Sequence, residues 1–383
     1  MFTRVSIESG LGSGSGFGLS SALLYLTLSI IPTAVLAQTP THHVADHRLT
    51  SVHTSDVIWN GVTVDDRGRI FVVFPHLEGS TGTRLGEIAN DNSIHPYPDA
   101  AWNAWAKDAD STHTFVHLNS ARLGPDGNLW AVDTGTPAFG DARIDNAAKL
   151  VVIDTSTNTV IRIYPLQAAT DAHSYVDDVR FHDENAYLTD AGSPGLIILN
   201  LKTGATRRVL DHTSSTTQQR QILAEGKVVK APDGKDLQVN ADQMEVSPDG
   251  RYFYFQPVSG PLSRVETRYL DDPSITEAEL EKQVKTWVDT PSTGGTAIDH
   301  AGNIYLSDVN RKRILKITPA GKVTTLIEDP RLLWIDAMWI DNHGYLWMPS
   351  GQINRMSLFQ NGVDRVELPV HLYKLYIGGK PIR

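Results

Sequence analysis

Residues Asn119–Asp133 read NSARLGPDGNLWAVD, and this stretch decides the fold because the chain repeats it. A polar residue opens the pattern, an apolar residue follows four positions on, a turn of the type Asp-x-x-Gly comes next, and an apolar-aromatic run closes it. Further copies begin at Asn60 (NGVTVDDRGRIFVVF), Asp177 (DDVRFHDENAYLTD), Asp242 (DQMEVSPDGRYFYFQ), Gly294 (GGTAIDHAGNIYLSD) and Asp336 (DAMWIDNHGYLWMPS). Alternation such as Val62/Val64 and Met338/Ile340 has the period of a strand, so each copy predicts a β-hairpin. Gly68, Gly127, Gly250, Gly302 and Gly344 supply the turns. The third copy is one residue shorter, and Asn185 is expected to hold its left-handed position.

Six copies spaced by about 40 to 65 residues match the length of a four-stranded propeller blade. Third strands are visible at Leu196–Leu199 and Ile314–Ile317, and a fourth at Val323–Ile327. The predicted class is therefore all-β: a six-bladed β-propeller over residues 56–383, with a short helical insertion. Residues 38–55 form an N-terminal segment whose part His47–Ser55 is expected to close the last blade. Three insertions interrupt the repeats, at 78–117, 205–240 and 259–293. In the last, Ser274-Ile275-Thr276-Glu277 running into Ala278–Val288 reads as a capped helix.

Length and composition agree. A chain of 383 residues exceeds one ordinary core, with 40% apolar and 20% charged residues arguing against disorder. Eight Trp, 12 Tyr and 10 Phe against five Met favour strands over packed helices. Net charge is −10, and the densest basic run is Arg311-Lys312-Arg313, which argues against a nucleic-acid partner. The absence of cysteine excludes disulfides, thiol catalysis, Fe–S clusters and cysteine zinc sites.

Residues 1–37 read as a secretory signal: Arg4, an apolar run from Leu19 to Ala37, and small residues before Gln38. Cleavage after Ala37 predicts a secreted protein with no membrane attachment; the alternative is an uncleaved anchor. No Asn-x-Ser/Thr sequon occurs.

In a propeller the inner strand of each blade begins beside the central channel, so the opening residues of the six copies share one mouth. That column is Asn60, Asn119, Asp177, Asp242, Gly294 and Asp336. The returning ends of the second strands form another: Phe74, Asp133, Asp190, Gln256, Asp308 and Ser350. Carboxylates at this density cannot all ionise unaided. Either some carry protons and supply acid–base groups, or a hard cation such as Ca²⁺ neutralises them. Asp177, Asp242 and Asp336 are the catalytic candidates. Asn60, Asn119, Trp59, Trp334, Asp133, Asp190 and Asp308 are the substrate-binding candidates, although the second column also reads as Asx-turn caps. Asn60, Asn119, Asp177, Asp242 and Asp336 would be the metal ligands; otherwise no cofactor is expected. His42, His43 and His47 have ligand-like spacing but stand in the N-terminal segment. Ser193 and Ser214 lack a nucleophile elbow.

The segments LGPDGNLWAVDTG (123–135), AYLTDAGSPGLIILNLKTG (186–204), GNIYLSDVNRKRILKITPAGK (302–322) and DPRLLWIDAMWIDNHGYLWMPSGQINRM (329–356) resemble the major royal jelly/yellow protein family. The resemblance runs over roughly residues 55–377. It implies a secreted six-bladed propeller. Insect members of that family convert dopachrome or bind biogenic amines, and royal jelly members are nutrient or signalling proteins. The lack of cysteines and sequons departs from the insect pattern and fits a microbial or fungal member, where such propellers serve small-molecule biosynthesis. A more distant similarity to gluconolactonase/senescence-marker propellers implies metal ligands at inner-strand starts. Asn60-Gly61 and Asp336-Ala337 stand at such places, but the second lacks its glycine. From this follow three expectations: non-redox tautomerisation, isomerisation or cyclisation of a small aromatic or polyketide-like molecule; non-catalytic binding of an amine or pigment precursor; or Ca²⁺-dependent lactone hydrolysis.

Overall fold

The computed structural model describes residues 45–382. The signal sequence with its cleavage point, and His42 and His43, lie outside them. Six four-stranded antiparallel sheets form a six-bladed β-propeller, with two short helices. All six repeated patterns are hairpins, each supplying the first two strands of a blade. The innermost strands are Gly61–Val64, Leu118–Leu123, Val176–His182, Ala241–Val246, Thr293–Ile298 and Trp339–Ile340. The five turn glycines all have positive φ, between 70° and 83°, where a side chain would be strained. In the third copy the left-handed residue is Asp183, not Asn185. Its turn is two residues long, so Asn185 already pairs with His182 as the first residue of the returning strand.

All three insertions are partly blade, and in 205–240 Thr206–Val209 is the outer strand of blade three. Leu85–Ile88 and Ile94–Pro96, inside 78–117, are the outer strands of blade one. In 259–293 the predicted helix is shorter than its pattern. Helix α1 spans Thr267–Asp271 and helix α2 spans Glu277–Gln283. The helix start is capped, by a capping box between Thr276 and Glu279. The helix then stops, because Lys285–Val288 is taken up as the fourth strand of blade four.

Blade six is assembled from both ends of the described chain. Thr50–Ser55 pairs antiparallel with Val370–Tyr376, Thr50 opposite Lys374 and Ser55 opposite Val370. Each blade is one thin sheet whose apolar faces are covered only by its neighbours. The core is accordingly a series of clusters between blades, such as Trp130, Val152 and Tyr164 of blade two against Val179 and Leu188 of blade three. Blades six and one also meet through their inner strands, where the Ala337 N–H donates to the Asn60 carbonyl at 2.9 Å. Among the described residues no helix is long and apolar enough to cross a membrane.

A chain begun at Val57 would lack the outer strand of blade six. Its urea midpoint should fall, and the amides of Val370–Tyr376 should lose protection from hydrogen exchange before those of blade three. An unchanged midpoint would show that the ring holds without this strand.

Candidate functional site

The six opening residues converge. Asn60, Asn119, Asp177, Asp242, Gly294 and Asp336 line one cavity of about 70 Å³ at the end of the channel. Strand alternation alone does not put them there. In blades two to five the pairing register shifts across the opening residue, between Leu118 and Ser120, Val176 and Val179, Ala241 and Gln243, and Thr293 and Thr296. A bulge leaves a residue out of the ladder and re-aims its side chain. Gly294 is the one member without a side chain, and the reason is close approach. A Cβ there would lie 2.3 Å from the Ile335 carbonyl oxygen of the next blade.

Below this ring runs a layer of buried ion pairs. Arg122 donates to both oxygens of Asp178 and, through Nη1, to the Met338 carbonyl. Arg180 donates to Asp178 at 2.8 Å and to both oxygens of Glu245. Blades two, three, four and six are thereby tied across the channel. Burial opposes ionisation of Asp178, yet Arg122 and Arg180 hold its carboxyl far below the usual range. On the other side of the layer a second, apolar pocket of about 140 Å³ opens, with Pro381 and Ile382 at its rim.

The ring carboxyls are left without cations: among the described residues none of Asp177, Asp242 or Asp336 is in an ion pair. Burial pushes Asp336 up to about 8, against hydrogen bonds from the Ala337 backbone and the Trp334 side chain. Burial and neighbouring carboxylates raise Asp177 and Asp242 well above the carboxylate range. Asn60 donates through Nδ2 to the Asn119 carbonyl at 2.9 Å and to Asn119 Oδ1 at 3.2 Å. Its own Oδ1 is buried without a partner.

Sequence reading missed Tyr175 and His117. The Tyr175 hydroxyl reaches the cavity wall, 3.1 Å from both His117 Nε2 and Asn119 Oδ1. Burial lowers the His117 imidazole to about 4, so it is neutral at physiological pH. Burial and the three ring carboxylates raise the Tyr175 hydroxyl well above its ordinary value. Both residues stand two positions before a ring residue, as does Trp334, so one more step up each strand would have found them.

Several sequence candidates lie elsewhere. Asp133 does not face the cavity: it accepts the N–H groups of Val116, His117 and Gly135 and pairs with Lys149 at 2.7 Å. Asp190 caps Tyr175, Gly192 and Ser193 and pairs with Arg208. Asp308 caps Asn310 and Arg311 and pairs with Arg313. Each is the last residue of its second strand, so its carboxylate satisfies amides of the loop just beyond, which the ladder does not serve. Trp59 is wholly buried between blades one and six, its indole N–H donating to the His371 carbonyl. Trp334 does line the cavity, with a left-handed φ of 46° that is rare for so bulky a residue.

Among the described residues no group of three or more His, Asp or Glu side chains is placed to hold a metal ion. Of the proposed ligands Asn60, Asn119, Asp177, Asp242 and Asp336, Asn119 spends its Oδ1 on Asn60 and Tyr175, and Asp242 accepts from Gln243.

A carboxyl whose folded pKa lies above its unfolded value binds a proton more tightly when folded, so stability falls as pH rises between the two values. For Asp336 that window runs from 3.8 to about 8. Asp336→Asn removes the penalty while keeping the shape. The melting temperature of the variant relative to the parent should rise between pH 5 and pH 8, by roughly 2–4 °C for each kcal/mol recovered. A constant difference across that range would place the Asp336 carboxyl in water.

A sequence model described as major royal jelly protein matches residues 125–374. A search of curated proteins by sequence finds no match. Among solved structures the chain is similar to a gluconolactonase from Xanthomonas campestris, with 12% identity, TM-score 0.53, and 86% of this chain and 88% of that one covered. It is similar to a calcium-binding protein, regucalcin, from Agrobacterium tumefaciens, at 12% identity and TM-score 0.50, covering 86% of this chain and 95% of that one. Virginiamycin B lyase from Staphylococcus aureus gives 12% identity and TM-score 0.50, with 88% of each chain covered. Such low identity speaks to the fold alone. The family match spans most of the propeller, and on it the chain belongs to the major royal jelly protein family.

Proposed function

We propose that the ring cavity binds a small aromatic or polyketide-like molecule and catalyses its non-redox tautomerisation, isomerisation or cyclisation, in a protein that works outside the cell. One observation carries the reading: the carboxyls of Asp177, Asp242 and Asp336 converge on one cavity, none of them in an ion pair among the described residues and all held above the ordinary carboxylate range. Groups that hold protons near neutral pH can both give and take them. A carboxylic acid such as Asp336 would donate to a substrate carbonyl oxygen. The Asp177–Asp242 pair would take a proton from the adjacent carbon. One proton leaves carbon, one arrives at oxygen, and the product is an isomer. Return of the enol to another carbon, or its attack within the same molecule, gives isomerisation or cyclisation.

Binding contacts follow from what is unsatisfied. Asn60 Oδ1 lacks a donor and would accept from a substrate hydroxyl. Asn119 is committed to Asn60 and Tyr175, so it positions them. The Tyr175 hydroxyl would join Asn60 at the substrate, and Trp334 offers an aromatic face. The bases act in a preorganised, water-poor pocket, where such hydrogen bonds count for most.

A second reading is favoured by the same acidity: a protonated amine would donate to Asn60 Oδ1 and to an ionised Asp177, making the protein a carrier without turnover. Screening the purified protein against catechols, quinones and phenethylamines separates the two. For an enzyme, Asp242→Asn should lower turnover of the substrate found by about 10²–10⁴-fold while its Kd moves only a few-fold. For a carrier, Asp177→Asn should abolish amine binding with no turnover to lose. Binding and turnover both unaffected by Asp177→Asn and Asp242→Asn would overturn both readings.

A further inference from the structure

The ring cavity is smaller than the molecule proposed for it. It measures about 70 Å³, and a dry cavity that takes benzene measures about 150 Å³. Something above the ring must therefore move. The roof is an apolar cluster drawn from loops, including Leu237 and Val239 of the 205–240 insertion, Ile353 and Phe359 of the segment after blade six's second strand, and Phe139. Within the insertion Leu223–Ala224 and Lys227–Val228 form a hairpin, and Ile222, Ala224 and Val229 carry its apolar side into the roof.

The hairpin tip is anchored by charge. Glu225 Oε1 and Oε2 accept from Arg355 Nη2 at 2.7 Å and Nε at 2.8 Å, a two-point grip. Asn354 Nδ2 adds a bond at 3.0 Å, and Lys312 Nζ lies 2.9 Å from Oε1. Beside it the Gly226 N–H donates to Asn310 Oδ1. One carboxylate thus joins the insertion to the loop of blade five and to the segment that supplies Ile353 and Phe359.

The backbone adds a second, independent observation. Glu225 and Gly226 are the two central residues of the hairpin turn, with φ of 50° and 79°. Such turns favour Asn, Asp or Gly at the first position, and a long side chain there is disfavoured. Lys312, opposite, is also left-handed, with φ of 53°. A chain selected for turn formation alone would carry Asn at 225. Glutamate is the residue that reaches Arg355 and Lys312 together.

We propose that residues 222–239 are a lid over the ring cavity and that Glu225, gripped by Arg355 and Lys312, is its latch. Substrate enters when the latch parts and the hairpin lifts. The need for opening rests on the reading of the cavity as the site of a ring-sized molecule; the latch itself rests on the geometry of Glu225.

The test reads access to the ring without any substrate. The full chain is treated with a water-soluble carbodiimide and glycine ethyl ester, and amidation of Asp177, Asp242 and Asp336 is followed by peptide mass spectrometry. The exposed Asp145, with 88% of its side chain in solvent, serves as the internal reference. Glu225→Asn suits the turn better but lets go of Arg355 and Lys312, so a merely structural hairpin predicts slower labelling or none. A latch predicts labelling of the ring carboxyls about tenfold faster relative to Asp145, equivalent to ~1.4 kcal/mol of lost closure. Arg355→Met should do the same from the other side, which keeps the test decisive if one variant folds poorly. Parent-like labelling in either variant, with circular dichroism and melting temperature unchanged, overturns the latch. Faster labelling in a variant that still binds no catechol, quinone or amine upholds the latch and counts against the proposed function alone.

Discussion

The buried charges of the channel are shared unequally, and the site depends on that inequality. Two arginines, Arg122 and Arg180, enter the channel, and both are spent on Asp178 and Glu245 one step below the ring. Breaking such a layer would strand a charge in low dielectric, at a cost of about 3–5 kcal/mol, so it fixes four blades relative to one another. It also closes the channel beneath the ring. With the cations consumed there, Asp177, Asp242 and Asp336 have only each other and a few dipoles, and they hold protons where carboxyls on a surface would not. The acid–base character of the cavity is a by-product of how the adjacent residue, Asp178, is neutralised.

The same partition of labour runs along each blade. Carboxylates at the ends of second strands, Asp133, Asp190 and Asp308, receive backbone N–H groups and a basic partner each, and their work is to shape the loops above the ring. Those loops carry His117, Tyr175 and the roof. In blade three the ring aspartate Asp177 and the structural Asp190 stand on paired strands, told apart by whether loop amides and a cation reach them. The roof follows from the loops' apolar residues, which have no blade to pack on and so pack on one another over the cavity.

Much of this was legible in the residues. The six hairpins and the column Asn60, Asn119, Asp177, Asp242 and Asp336 follow from one repeated pattern, because strand periodicity and turn chemistry are local properties; the register shifts that re-aim the openings of blades two to five do not. The capped helix start near Thr276 was legible for the same reason. Trp59 was not: a tryptophan beside a ring residue can face the channel or the neighbouring blade, and only the packing of blade six against blade one buries it. Nor was the helix length, since Lys285–Val288 is helical in pattern but is drafted into a sheet edge by Leu262–Glu266.

What the sequence by itself determined is what recurs along it: hairpin, blade, ring of polar residues, family. What only the tertiary structure decided is which of those polar residues keep a proton, which are neutralised, and which are covered. Those properties depend on distances between residues 56 to 216 positions apart, such as Arg122 to Asp178 and Arg122 to Met338. No local pattern encodes them, because electrostatic energy and burial are set by neighbours in space, and closure of the ring chooses the neighbours.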